Sequence, residues 1–332
     1  MNPIVSVIVC TYNQEGTIGA ALDSILAQIT DFDYEIVVAD DCSTDGTRDI
    51  CRDYSARFPD RIRLILNDEN LGIADNYFGT LYECRGKYIA DLAGDDIWSD
   101  PHKLSRQVAV MDSDPAIVLC HAAWRYLHAD GSTSEPQGFA RPEKPYVCDG
   151  ATLVTSLLQH RRDKVFIHLC SAMYRRDTAV ALTQKFSEFF YGRTLPCEDF
   201  QLEVLMATAG RIAYDPIEVL LYRVGQKSIS SFENPAKSAI FASKVAVLTH
   251  ALATELNADM AGMADFFSRQ MLFATALAFE SGDKHAAAEA FAAVTATSPV
   301  LPLRARTALA LMKVKPLWYV ARHAFKLLRF NR

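Results

Sequence analysis

The chain has 332 residues, half of them hydrophobic, and a formal net charge of −6. That length allows one large α/β domain with a smaller appendage, and the acidic balance argues against general nucleic-acid binding. No apolar run reaches the roughly 20 residues of a membrane-spanning helix, no charged leader with a cleavage site precedes the first apolar run, and the eight cysteines lack C-x-x-C or metal-type spacing. These features predict a cytoplasmic protein with reduced thiols.

Ile4–Cys10 is a short β-branched run, as expected of a parallel strand covered on both faces, and Thr11-Tyr12-Asn13 follows as a polar loop. Ile18, Leu22, Ile25 and Leu26 then recur at helical spacing. A second run, Tyr34–Ala39, ends in Asp40-Asp41-Cys42-Ser43-Thr44-Asp45-Gly46, and a helix follows with Ile50, Tyr54 and Phe58 on one face. Ile62–Leu66 reads as a third strand leading into the turn-rich Asn67–Gly72, and Tyr77, Leu81 and Cys84 mark the next helix. Strand, polar loop and helix repeat three times, which predicts a parallel sheet with crossover helices. In open sheets of this kind ligands bind beyond the carboxyl ends of the strands. The polar clusters at Thr11, Asp41 and Asp95 are therefore candidates for one site.

The next strand-like run, Tyr88–Leu92, lies in KYIADLAGDDIWSD (Lys87–Asp100) and ends in Ala93-Gly94 and two adjacent acids, Asp95 and Asp96. Two carboxylates at the exit of a buried strand are costly unless something positive faces them. Hard divalent cations such as Mn²⁺ or Mg²⁺ take oxygen ligands and bridge to substrate phosphates. An isolated Asp-Asp pair is more simply a solvated loop or a helix N-cap at Asp96. The neighbouring acidic loops shift the balance toward a cation.

Asp100-Pro101 is expected to cap a helix carrying Leu104, Val108 and Met111. Ala116–Trp124 reads as a strand, residues 132–150 as a surface loop, and Val165–Tyr174 as a strand leaving through Arg175-Arg176. Phe186–Cys197 is aromatic and loop-like, Glu198-Asp199 opens a helix with Leu202, Leu205 and Met206, and Ile217–Tyr222 is the last strand. From Ala236 the chain turns alanine-rich and helical in period, with a helix pair over residues 264–296 turning at Ser281-Gly282-Asp283. That pair looks like a single tetratricopeptide-type unit, but such units need neighbours, so a packed helical appendage is the expectation. After Glu289 the chain has no acid, while Arg322, Lys326 and Arg329 flank an apolar stripe of Trp318, Ala321, Phe325 and Leu328. This basic tail fits a helix on anionic lipid and equally a packed terminal helix with solvated charges.

Four stretches in order, SVIVCTYNQE (Ser6–Glu15), VVADDCSTDGT (Val37–Thr47), NLG (Asn70–Gly72) and KYIADLAGDDIWSDPHKL (Lys87–Leu104), carry a resemblance to glycosyltransferase family 2 enzymes of the GT-A fold. The likeness is to bacterial transferases of surface polysaccharides and covers about the first 230 residues. It implies an α/β GT-A domain, with a mostly parallel nucleotide-diphospho-sugar transferase sheet flanked by helices, over residues 1–233. Residues 234–332 would form a C-terminal α-helical region with the basic tail.

By motif position the resemblance implies that Asp95 and Asp96 hold Mn²⁺ or Mg²⁺, with Asp95 also on the nucleotide side. Asp41 would accept a nucleobase N–H, uracil being a natural partner, and Thr11, Tyr12 and Glu15 would line the nucleoside. Asp199 would be the general base of an inverting transfer, with Glu198 orienting the acceptor. The expected partners are a UDP-sugar donor and a saccharide or lipid-linked saccharide acceptor, with no nucleic acid. Localisation would be cytoplasmic, the basic tail offering peripheral contact at the inner face of the membrane. Two departures stand out. Ala93 replaces the first acid of the common Asp-x-Asp-Asp, leaving open which of Asp95 and Asp96 binds metal directly. No His follows Tyr222-Arg223, so Arg223 or Lys227 would have to supply charge to the diphosphate. Trp98 is either a sugar-stacking face or a filler beneath the loop, and His168, Arg175 and Arg176 fall where the acceptor side is expected. Two other readings remain: a non-catalytic nucleotide-sugar-binding module, and a sugar nucleotidyltransferase. The latter lacks its glycine-rich basic loop here.

Overall fold

A computed structural model describes residues 3–192, 195–225 and 234–297. They fall into two units divided between Gly225 and Gln226. In the first, Val5–Thr11 (β1), Tyr34–Asp40 (β2), Ile62–Leu66 (β3) and Tyr88–Asp91 (β4) are strands. Each is a short apolar run closed by a polar turn. The connecting helices Ile18–Leu26 (α1), Thr47–Arg57 (α2) and Ile73–Glu83 (α3) bury one face each, such as Ile18, Leu22 and Ile25 of α1. Ile97–Trp98 (β5), Lys103–Ser113 (α4), Ile117–Leu127 (β6), Thr133–Ser134 (β7), Tyr146–Asp149 (β8) and Val154–Leu158 (α5) follow. Met173–Arg175 (β9), Arg176–Lys185 (α6), Asp199–Ala209 (α7) and Arg211–Arg223 (β10) complete the unit.

The sheet order is β3-β2-β1-β4-β9-β6-β10-β5, with β7 on β6 and β8 on β10. β1, β2, β3 and β4 pair in parallel, as do β6 and β10. The short β9 runs antiparallel between β4 and β6, so the two parallel groups share one direction. β1, β2, β4, β6 and β10 therefore end at the same rim, as the strand–loop–helix alternation predicts.

Four local expectations need correction. Val165–Tyr174 is not one strand: Ser171 N–H donates to His168 O at 2.7 Å and Ala172 N–H to Leu169 O at 2.8 Å, so a tight turn replaces the ladder until Met173. Asp100 does not cap α4, which starts at Lys103. Its Oδ1 accepts from His102 N at 2.9 Å and forms a side-chain turn one step earlier. Residues 132–150 hold β7 and β8 in addition to loop. The last strand begins at Arg211, its pairing with β6 interrupted around Pro216, which has no N–H to give.

All eight cysteines are free thiols. In the second unit Pro235–Glu255 (α8), Ala264–Ser281 (α9) and Lys284–Ala296 (α10) pack through Ala236, Ala239, Leu277, Ala278, Ala286 and Ala290. Asp283 caps α10 by accepting from His285 N and Ala286 N. Among the described residues no helix is long and apolar enough to cross a membrane. Lys227, the Ser228–Ser231 stretch and the basic tail lie outside the described residues.

Candidate active site

The loops leaving β1 and β2 are tied to each other residue by residue. Asp41 N–H donates to Thr11 O at 2.9 Å. Asn13 N–H donates to Ser43 Oγ at 2.9 Å, Gln14 N–H to Thr47 Oγ1 at 2.7 Å, and Thr44 N–H to Asn13 Oδ1 at 2.8 Å. Each loop turns through a non-glycine residue in the left-handed region, Asn13 at φ 54° and Cys42 at φ 62°. Such strain persists only where the surroundings enforce it.

Asp41 is buried and helps shape the rim. Its Oδ1 accepts from Leu71 N at 2.8 Å and Asn67 Nδ2 at 3.1 Å, and its Oδ2 from Gly72 N at 2.9 Å. Gly72 sits at φ 86°, which favours glycine at the place where the β3–α3 loop bends toward that carboxylate. A carboxylate offers about four acceptor directions, so one remains on Oδ2. Asp40 serves its own turn, its Oδ2 accepting from Arg48 Nε at 2.6 Å and Ser43 N at 3.1 Å.

The acid loop approaches this pair closely. A Cβ on Gly94 would stand 2.4 Å from Gln14 Oε1 and 2.9 Å from Thr11 Oγ1, so any larger residue there would have to displace those side chains. Asp96 is 1% exposed. Its Oδ1 accepts from Arg223 N at 2.9 Å, while Arg223 Nε donates to Asp95 O at 2.9 Å. Asp96 Oδ2 is buried with no hydrogen-bond partner. Burial first, then the Asp95 charge, pushes the Asp96 carboxyl well above its usual range. Burial also raises Asp95, opposed by its own backbone N–H and by Arg223. An orphaned oxygen beside a second acid suits a divalent cation. Among the described residues no group of three or more His, Cys, Asp or Glu could hold an ion, so a cation on Asp95 and Asp96 would take its other oxygens from ligand and water.

Glu198 and Asp199 start α7, Glu198 as the N-cap residue, and Asp199 Oδ1 accepts from Phe200 N at 2.7 Å. Burial first, and the Asp199 charge second, raises Glu198 to about 8. The thiol of Cys10, near the end of β1, is pushed up by desolvation and then by the charges of Glu198, Asp91 and Asp41. Glu198 is thus near enough to the end of β1 to act on that thiol. With its pKa raised to about 8, Glu198 keeps its proton at neutral pH.

Other expected positions resolve differently. Tyr12 is 47% exposed beside the rim. Glu15 reaches the neighbouring loop, its Oε2 accepting from Gly46 N at 2.7 Å. Trp98 is 4% exposed, with Nε1 donating to Cys170 O at 2.9 Å, so it fills the space beneath the loop and offers no face for stacking. Arg223 is a clip on the acid loop. Arg175 binds Ile117 O and Met111 O, both at 2.7 Å, and pairs in register with Tyr88 at the far end of β4 from the acids. Arg176 pairs with its neighbour Asp177 at 3.1 Å. Neither belongs to the site. Burial lowers His168 to about 4, leaving it neutral among Trp124, Phe166 and Tyr222.

Sequence reasoning missed Asp91 and Lys103. Asp91 Oδ1 accepts from Tyr77 Oη at 2.6 Å, its Oδ2 has no partner, and burial raises it to about 7. Burial lowers Lys103 to about 7. The available signal was helical spacing: Lys103 and Gln107 fall in line with the apolar Met111.

A sheet ending in acid-lined loops with helices on its faces defines the GT-A class of α/β folds. The crystal structure of S. aureus TarS 1–349 in complex with UDP-GlcNAc matches it with a TM-score of 0.62 at 20% identity, covering 97% of this chain and 88% of that one. The chain belongs to glycosyltransferase family 2, whose model, Glycosyl transferase family 2, matches residues 6–179. An uncharacterised Mycobacterium tuberculosis protein, Rv1520, is 35% identical over 218 residues, 66% of this chain and 58% of its own length. The Escherichia coli protein named UDP-Glc:alpha-D-GlcNAc-diphosphoundecaprenol beta-1,3-glucosyltransferase WfgD is 38% identical over 108 residues, 32% of this chain and 41% of WfgD. The chain thus spans less than two thirds of the length of these relatives. The family and fold expected from the motifs are borne out.

Proposed function

We propose that this protein is an inverting glycosyltransferase that moves a sugar from a UDP-sugar to a hydroxyl of a saccharide or lipid-linked saccharide during polysaccharide biosynthesis. The observation that carries the reading is the Asp95–Asp96 pair, whose buried Asp96 Oδ2 has no hydrogen-bond partner, in the loop after β4 at the rim where β2 also delivers Asp41. The names of WfgD and of the TarS complex, which specify UDP-Glc and UDP-GlcNAc, support UDP as the nucleotide.

In this reading the free acceptor direction on Asp41 Oδ2 takes the uracil N–H, with Thr11 and Tyr12 along the nucleoside. Asp95 and Asp96 hold Mn²⁺ or Mg²⁺, which when bound neutralises charge on the departing diphosphate. Asp199 takes the proton of the acceptor hydroxyl as its oxygen attacks the anomeric carbon and the bond to the diphosphate oxygen breaks. A single displacement inverts that carbon. Glu198, carrying its proton, donates a hydrogen bond to the acceptor. Residues 1–233 are the transferase domain, and the region from residue 234 is helical over its described part. The basic tail holds a cytoplasmic enzyme against the anionic inner face of the membrane.

The test is release of nucleoside diphosphate from UDP-, GDP- and dTDP-sugars with Mn²⁺, with and without saccharide acceptors. Release from UDP-sugars that Asp96→Asn abolishes supports the reading. Preference for a guanine or thymine nucleotide overturns UDP, and tight nucleotide binding without turnover on any acceptor makes the protein a binding module.

A further inference from the structure

Lys103 opens α4 and is 0% exposed, a costly place for an ammonium. Its Nζ donates to Gln107 Oε1 at 2.7 Å and to Ala172 O at 3.0 Å, and lies 4.3 Å from the centroid of the Trp98 ring. Gln107 Nε2 donates to Ser171 O at 2.8 Å, and Trp98 Nε1 to Cys170 O at 2.9 Å. Three successive carbonyls, those of Cys170, Ser171 and Ala172, are thus each held by a side chain from the stretch just after the acid pair.

This arrangement reaches Asp96 through Trp98, which follows it closely in the chain and holds the Cys170 carbonyl. Trp98 pairs with Leu220 in β10, the strand that carries Arg223 and its N–H to Asp96 Oδ1. A methionine would fill the Lys103 space without desolvating a charge, but it brings none of the three N–H donors. Two of those have carbonyl acceptors here, and the charge rests on the indole face.

We propose that Lys103 is a positioning residue for the acid pair. With Gln107 and Trp98 it fixes the 170–172 carbonyl row, and that row and β10 together set the Asp96 carboxyl. The inference rests on the reading of Asp96 as a site acid.

The test uses Lys103→Met and Gln107→Leu in the full chain, with hydrogen exchange followed at residues 95–96, 168–172 and the Arg223 amide. Both variants are expected to exchange there about tenfold faster or more, with β1 and β2 amides keeping wild-type protection. In a transfer assay kcat falls by about tenfold or more, while the donor KM stays within about threefold. Unchanged exchange at those amides overturns the inference whether or not the chain transfers sugar. Loss of protection throughout the first unit in Lys103→Met, with Gln107→Leu like wild type, also overturns it, because Lys103 would then hold the core and not the site. Faster exchange confined to those amides, in a chain that releases no nucleotide, supports the positioning role and counts against the proposed function alone.

Discussion

The backbone N–H of Arg223 donates to Asp96 Oδ1 at 2.9 Å, and Arg223 Nε returns to Asp95 O at the same distance. The last strand of the sheet therefore clips the acid loop that follows β4. The clip leaves Asp96 Oδ2 without a donor, and that oxygen makes the site expensive for the folded chain when it stands alone. Asp96→Asn removes the repulsion with Asp95 and keeps an oxygen for the Arg223 N–H. Nucleotide release is expected to fall by about 100-fold or more. The same variant should melt no lower than wild type, and up to about 2–4 °C higher for a gain near 1 kcal/mol. Calorimetry and a release assay on one preparation read both. A variant that melts much lower while remaining active would reverse the assignment.

Asp199 is read as the base. Asp199→Asn keeps the acceptance from Phe200 N and loses the proton acceptor, so kcat should drop by about 100- to 10,000-fold. UDP affinity, measured by titration calorimetry, should stay within about threefold. A large loss of UDP affinity with near-normal kcat would place Asp199 on the nucleotide side.

Asp41 serves the fold as well as any nucleotide. Asp41→Ala strands the Leu71 and Gly72 N–H groups and takes one of two acceptors from the Asn67 amide, which keeps Asn76 Oδ1; each buried unpaired donor costs about 1–3 kcal/mol. Urea unfolding should show a loss of about 2–4 kcal/mol after partial rescue by water. A loss below about 0.5 kcal/mol would mean the β3–α3 loop does not lean on this carboxylate.

Glu198 gives a pH signature. Its folded-state pKa, raised from 4.5 to about 8 by burial and then by the Asp199 charge, means the folded chain holds this proton more tightly than the unfolded one. Stability from that proton is fully present below about 4.5 and is lost as pH rises through about 8. Glu198→Gln cannot titrate, so its Tm should gain on wild type between pH 6 and pH 8.5 in a series of thermal melts. Parallel Tm curves for the two proteins would show that Glu198 is not held protonated.

The motifs made both the sheet and the family legible. The apolar runs of β1 to β4 and the helices between them follow from periods of 2 and 3.6, which depend on neighbours in sequence. Asp41, Asp95 and Asp96 lie at strand exits that hydrophobic spacing marks, whereas Asp199 was singled out by what the family resemblance implies. The short β9 was overextended because a turn held by Ser171 and Ala172 N–H groups interrupts an otherwise strand-like run.

The amino-acid order by itself determined the alternation of strands and helices, the acids at the strand exits and the membership in glycosyltransferase family 2. Tertiary structure decided what each side chain faces. It put Trp98 and Lys103 under the acid loop, sent Arg175 to the far end of β4, and gave Asp41 three donors from the loop after β3. Apart from the Asn67 amide, those partners are backbone groups brought close by the order of strands in the sheet. Backbone N–H and C=O groups recur at almost every residue, so no local pattern of side chains records which of them will meet.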